Sequence, residues 1–177
     1  PIPNPNAMLL FPKKRLSQNF LTDTNILKKI VAASGIASGD AVVEIGCGRG
    51  SLTEWILATH CQLYGVEYDA HLIPLLKDRF INEKHFTLFE SDILKFDLDR
   101  IPGTAKIKII GNLPYHISSP ILFKLFDHGD RIDTATVMLQ KEVAQRLVSA
   151  PRTKDYGILA VFVQFHCDCR KLFDIPP

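Results

Sequence analysis

The chain has 177 residues, enough for one domain with a substantial buried core. Hydrophobic residues make up 46% and charged residues 23%, the balance of a globular protein rather than a disordered or fibrous one. A net charge of +2 is too small to argue for nucleic acid by itself, and no apolar run approaches the roughly 18 uncharged residues of a membrane span.

The first residues, Pro1-Ile2-Pro3-Asn4-Pro5, lack the charged-then-apolar layout of a signal peptide. Residues 1–15 end in the one dense basic run, Lys13-Lys14-Arg15, and read as an extended arm ahead of a folded domain over 16–177. Cysteines at 47, 61, 167 and 169 show no C-x-x-C spacing. They read as reduced thiols in a cytoplasmic protein, with no metal site.

A helix is expected from about Thr24 to Ser34, capped by Asp23 and closed by Gly35, with Ile26, Leu27, Ile30 and Val31 on its apolar stripe. Ala41-Val42-Val43-Glu44-Ile45 is too apolar for a half-exposed strand and reads as a buried parallel one. After the glycine-rich turn at 46–50, Ser51 opens a helix in which Glu54 would complete a capping box. A strand over 62–66 ending in Glu67, a helix from about Ala70 to Phe80 and a strand near Phe86–Phe89 ending in Ser91-Asp92 come next. The strand Ile107–Ile110, stopping at Gly111, a helix after Ser118 and a strand over Thr134–Leu139 complete the regular part. Alternation of strand and helix predicts an α/β fold, a mostly parallel sheet with helices on both faces. Tyr156 to His166 fits strand and helix periodicity equally well.

The chemistry gathers at the strand ends. Glycines at 46, 48 and 50 let backbone approach a ligand at a helix N-terminus. About 20 residues on, Glu67 can accept from ribose hydroxyls, and Asp92, closing the third strand, from an adenine amino group. A dinucleotide fingerprint G-x-G-x-x-G would need glycine at Ser51, whereas G-x-G-x-G leans toward S-adenosylmethionine. Closing the fourth strand, Asn112 offers an amide carbonyl, Leu113 and Pro114 offer backbone carbonyls in an extended turn, and Tyr115 offers a flat ring. Such a set suits a planar group bearing an amino substituent. No paired carboxylates or Ser/His/Asp set accompanies it, and His116 is a weak candidate base because proton loss can follow methyl transfer to solvent.

In this order, Gln18-Asn19-Phe20-Leu21, Glu44 to Gly50, Glu67, Asp92 and Asn112-Leu113-Pro114-Tyr115-His116-Ile117-Ser118-Ser119-Pro120 resemble the KsgA-type small-subunit rRNA adenine dimethyltransferases. Residues 140–146, Tyr156-Gly157 and Gln164 extend the likeness, which runs from about Lys13 to the end of the chain. Related erythromycin-resistance enzymes of large-subunit rRNA tend to carry isoleucine where Leu113 stands and usually lack Lys141-Glu142-Val143. Cys47 departs from the family's usual proline or alanine.

The resemblance implies a Rossmann-like class I S-adenosylmethionine-dependent methyltransferase fold. Gln18, Asn19, Leu21, Gly46, Gly48, Glu67, Tyr68, Asp92, Ile93 and Asn112 would bind S-adenosylmethionine, and Asn112, Leu113, Pro114 and Tyr115 would form the catalytic loop. Lys13, Lys14, Arg15, Arg146, Arg152 and Lys154 would contact RNA phosphates. The implied reaction dimethylates N6 of two adjacent adenines near the 3′ end of small-subunit rRNA, by a monomer active in ribosome biogenesis. The alternatives are a large-subunit enzyme of the resistance type, or chiefly a non-catalytic ribosome-assembly or transcription-accessory RNA-binding factor. By resemblance, too, Tyr156–His166 is a helix and Arg170–Ile175 a sixth strand, and the chain stops short of a seventh, antiparallel strand and a small helical domain. The fifth strand should then show an unpaired edge, and residues 170–175 should lack a partner within the chain.

Overall fold

The computed structural model describes residues 23–103 and 105–175. Lys13, Lys14, Arg15, Gln18, Asn19 and Leu21, with the expected basic arm, lie outside the described residues. Five parallel strands form one sheet: β1 (Ala41–Ile45), β2 (Gln62–Glu67), β3 (Phe86–Glu90), β4 (Ile107–Asn112) and β5 (Ile132–Met138). Their order is β3-β2-β1-β4-β5, so the chain winds outward from β1 in one direction and then, through β4, in the other.

Burial on both faces explains the apolar strands. Val42, Leu63 and Ile110 point to one side, under helices α1 (Thr24–Ser34) and α2 (Ser51–Leu57). Val43, Ile45, Val66, Ile107 and Ile109 point to the other, where α4 (Ser118–Asp127), α5 (Lys141–Leu147) and α6 (Ile158–His166) contribute Ile121, Leu122, Leu125, Leu147 and Val163. The period-2 alternation of a pleated strand thus serves two cores at once. Helix α3 (Ile73–Arg79) seats Leu76 beside Phe80 and Cys47.

Local chemistry sets the helix ends. Asp23 caps α1, its carboxylate accepting from the Asn25 and Ile26 amides at 2.8 and 3.1 Å, and Gly35 closes the helix at φ 64°. The capping box expected at Ser51 and Glu54 does not form. Gly50 is the N-cap, in the left-handed region, and gives no side-chain cap. Glu54 turns instead to Arg79 of α3, 2.5 Å away, whose other nitrogen donates to the Arg49 carbonyl at 2.7 Å. Helix α3 begins at Ile73 rather than Ala70, because Pro74 favours the first turn and the chain before it is a tight turn bonded through Asp69.

Residues 156–166 settle as helix from Ile158. The expected strand over 170–175 is not seen: among the described residues the segment pairs with no strand. Nor is it without partners. Phe173 and Ile175 pack against the α1–α2 core, and the Lys29 ammonium sits 4.2 Å over the Phe173 ring. With no neighbouring strand to supply ladder bonds, burial of those two side chains decides the path. Strand β5 ends the described sheet, as expected, with an unpaired outer edge. Beside it, Phe123 and Phe126 of α4 meet Phe162 of α6 edge-on, while Ile158 and Phe165 face outward.

Strands β1 and β4 meet closely where the winding reverses. A Cβ on Gly111 would lie 2.5 Å from the Ile45 carbonyl oxygen, and neither backbone can yield without breaking the ladder. Gly111→Ala is expected to destabilise the fold by about 1–3 kcal/mol. A denaturant midpoint equal to wild type would show that the two strands have slack.

Candidate active site at the switch point

The reversal of strand order opens a crevice between the carboxyl ends of β1 and β4, where open α/β sheets bind ligands. A cavity of about 290 Å³ occupies it. It is lined by Gly46 and Gly48 after β1, Glu67 and Tyr68 after β2, Asp92 and Ile93 after β3, and Asn112, Leu113 and Pro114 after β4. Every described residue expected to bind cofactor is therefore on one wall or another. Tyr115 is not in the wall itself. It is 38% exposed and opens the 3₁₀ turn Tyr115–Ile117 at the rim. Asp69, Ser91 and His116 also line the cavity. Sequence reasoning had not placed Asp69 or Ser91 there, though each adjoins a residue that it had.

The glycine loop is shaped for close approach. Gly46, Gly48 and Gly50 all have positive φ, at 74°, 58° and 83°, which side chains rarely allow. Its tension is held by Glu67. One carboxylate oxygen accepts from the Gly48 amide at 2.8 Å, and the other accepts from the amides of Tyr68 and Asp69, each at 2.8 Å. Burial holds this carboxyl above the ordinary carboxylate range, with the backbone bonds offsetting part of the rise. Of about four lone-pair positions on a carboxylate, three are thus committed to backbone, and one stays available to a ligand hydroxyl.

Asp92 is held by the Leu94 amide, at 2.9 Å from one oxygen. In the turn after β4, the Leu113 amide donates to the Met138 carbonyl of β5 at 3.1 Å, fixing the turn to the sheet. The Pro114 carbonyl accepts from the Ile117 amide at 3.1 Å, which occupies one of its two lone pairs and orients the other. Pro114 itself is extended, at φ −60° and ψ 132°. Arg146, in the last turn of α5, and Arg152 and Lys154, between α5 and α6, are exposed. Among the described residues no cluster of three or more His, Cys, Asp or Glu side chains could hold a metal, and no helix is long and apolar enough to cross a membrane.

Residues 11–177 match the family model described as ribosomal RNA adenine dimethylase. The chain belongs to that family. It is 48% identical over 165 residues to a protein of Chlorobaculum parvum named ribosomal RNA small subunit methyltransferase A, covering 92% of this chain and 58% of that one. The chain therefore spans somewhat over half the length of that curated relative. The crystal structure of a dimethyladenosine transferase from Plasmodium falciparum superposes with a TM-score of 0.73 at 33% identity, covering 82% of this chain and 52% of that one. The crystal structure of the 23S rRNA methyltransferase ErmE superposes at 0.68 and 26% identity, covering 82% and 55%. With the strand order, these matches make the fold the Rossmann-like one of class I methyltransferases.

One buried acid went unsingled in the sequence. Glu44, within β1, is 1% exposed and accepts from the Thr53 hydroxyl of α2 at 2.7 Å. Its signal was a carboxylate inside an otherwise apolar run. Burial pushes it up to about 7, with the nearby Glu67 charge adding to the rise and bonds from Thr53 and Cys47 opposing it. The folded form therefore holds this proton from the ordinary carboxylate value of 4.5 to about pH 7, where the unfolded chain has lost it. Stability should fall as pH rises through that window, by up to about 1.4 kcal/mol per pH unit, and level off above it. Glu44→Gln, which cannot ionise, should flatten that decline when denaturation is measured from pH 4.5 to 8. A decline of unchanged slope would assign it to another group.

Proposed function

We propose that this chain is the catalytic part of an S-adenosylmethionine-dependent methyltransferase that dimethylates N6 of two adjacent adenines near the 3′ end of small-subunit rRNA, in the cytoplasm, during ribosome biogenesis. One observation carries the reading: the Asn112-Leu113-Pro114-Tyr115 turn opens onto the same cavity as the glycine loop, Glu67 and Asp92. The match to a relative named for small-subunit rRNA supports that substrate over the large subunit, as does Leu113 in the turn. A purely RNA-binding factor would have no use for an acid at the end of each of the two strands beyond the glycine loop.

The donor set fits the cofactor. Gly46 and Gly48, both left-handed, put no side chain between loop and ligand, and the carboxylates suit the hydroxyls and amine of an adenosine. Gly46 and Gly48 would border the methionine end, Glu67 the ribose and Asp92 the adenine, with Tyr68 and Ile93 against the ring. When bound, S-adenosylmethionine supplies a methyl group activated by a cationic sulfonium. Glu67 would offer its one uncommitted lone pair to a ribose hydroxyl, the other hydroxyl requiring exchange with a backbone amide.

The residues of the turn would act on the base. An adenine amine is a poor nucleophile, since its lone pair is delocalised into the ring. Two acceptors on its N–H bonds, the Asn112 side-chain carbonyl and the uncommitted lone pair of the Pro114 carbonyl, would hold the nitrogen toward a pyramidal geometry, with its lone pair less delocalised and aimed at the methyl carbon. Tyr115, half-exposed at the rim, would stack on the flipped base, and buried Leu113 would hold the turn against the core. Orientation and hydrogen bonding do this work without a strong base, and the proton leaves after transfer. At the second transfer one N–H remains, so a single acceptor must suffice. Arg146, Arg152 and Lys154, with Lys13, Lys14 and Arg15, would contact RNA phosphates.

The direct test supplies labelled cofactor with undermethylated small and large ribosomal subunits separately. Label is expected on small-subunit adenines; label on large subunits alone favours the resistance branch, and none on either overturns the reading. Asn112→Ala should slow transfer at saturating RNA at least tenfold, about 1.4 kcal/mol, while cofactor affinity falls less. Unchanged turnover would remove Asn112 from the orienting role.

A further inference from the structure

The glycine loop is held at several points, and one of the groups that hold it stands outside the crevice. Within the loop the Gly50 amide donates to the Cys47 carbonyl at 2.8 Å, closing a β-turn that has Gly48 at its bend, at φ 58°. From the cavity wall Glu67 accepts from the Gly48 amide. Arg79, the last residue of α3 and not part of that wall, donates to the Arg49 carbonyl at 2.7 Å. Carbonyl and amide of one trans peptide point in opposite directions. The Arg79 bond and the bond that closes the turn are therefore the two ends of a single peptide plane, Arg49–Gly50. Rotating that plane would break both. The next residue of each segment meets as well: a Cβ on Gly50 would lie 2.5 Å from the Phe80 ring. Arg79 is itself aimed by α2, where the Glu54 carboxylate accepts from its second terminal nitrogen. The two side chains are 39% and 61% exposed, so their ion pair adds little to global stability, and its effect is local.

We propose that Arg79 is a positioning residue for cofactor binding: from outside the crevice it sets the Arg49–Gly50 peptide, and with it the shape of the turn that brings Gly48 to the ligand. The inference rests on the proposed cofactor reading and adds a determinant of affinity that touches no ligand atom. A loop already in its bound shape pays no ordering cost when the ligand arrives. Without Arg79 the Arg49–Gly50 peptide keeps only its turn bond, and other orientations of the loop compete with the one that fits. Affinity then falls through lost preorganisation, while every group in the cavity wall stays in place.

Calorimetry with S-adenosylhomocysteine tests this on three variants. Arg79→Met keeps an apolar stem beside the Phe80 ring but donates nothing, and its Kd should be weaker by about tenfold. Arg79→Lys, with a compact head in place of the planar fork, should recover part of that loss. Glu54→Gln loosens Arg79 and should weaken binding about threefold alone, yet add nothing in the Arg79→Met background. Hydrogen exchange separates positioning from a general loss of structure. The Gly50 amide should exchange about tenfold faster in Arg79→Met, while β1 and β2 keep wild-type protection and the denaturation midpoint barely moves. Wild-type affinity in Arg79→Met, additive losses in the double variant, or protection lost throughout β1 and β2 would overturn the proposal and leave the cofactor reading intact. Failure of the wild-type chain to bind would sink that reading, and the proposal with it.

Discussion

Everything at the active edge depends on how Glu67 spends its carboxylate. Three backbone amides, from Gly48, Tyr68 and Asp69, converge on it at 2.8 Å. The bond to Gly48 ties the loop after β1 to the end of β2, and the other two tighten the turn after β2 that leads to α3. Were these amides left buried without a partner, each would cost on the order of 1–3 kcal/mol. The glycine loop is thus preorganised by the same acid that would meet the ligand, so any ribose contact is made by a side chain already locked in place. A second tie comes from Arg79 of α3, which holds the Arg49 carbonyl of the loop and the Glu54 carboxylate of α2 together.

From these ties the crevice follows. The glycine loop is pinned on one side by Glu67, and β4 presses against β1 at Gly111 on the other. Asn112 must then emerge beside Gly46: a Cβ on that glycine would lie 3.9 Å from the Asn112 carbonyl oxygen. The turn carrying Leu113 and Pro114 is bonded in its own right to β5 through Met138. Crevice and turn are in this sense one unit, built on β1 and β4 and braced by the edge strand β5.

Much of this was legible in the sequence, because the relevant signals are local. The strand runs at 41–45 and 107–110, the caps at Asp23 and Gly35, and the alternate glycines each report a backbone requirement within a few residues of themselves. What escaped was set by distant partners. Glu54 reads as a capping residue until Arg79, 25 positions on, is folded against it. Glu67 reads as a ribose acceptor because its backbone partners, above all Gly48, become visible only when β1 and β2 lie side by side. Residues 170–175 are expected as a strand from the family resemblance, yet a strand exists only through its neighbour, and the segment instead buries Phe173 and Ile175 on the α1–α2 core. Glu44 looked like one polar break in an apolar strand. Its burial comes from α2 closing over it, with Thr53 donating to the carboxyl.

The central claim is that the crevice between β1 and β4 is a cofactor site continuous with the catalytic turn. A crystal structure of this chain soaked with S-adenosylhomocysteine tests it most directly. The account predicts the ligand along the carboxyl ends of β1 to β4, with its ribose at Glu67, its adenine at Asp92 and its sulfur facing Asn112. A ligand bound elsewhere, or in the crevice with its sulfur turned away from Asn112, would contradict it.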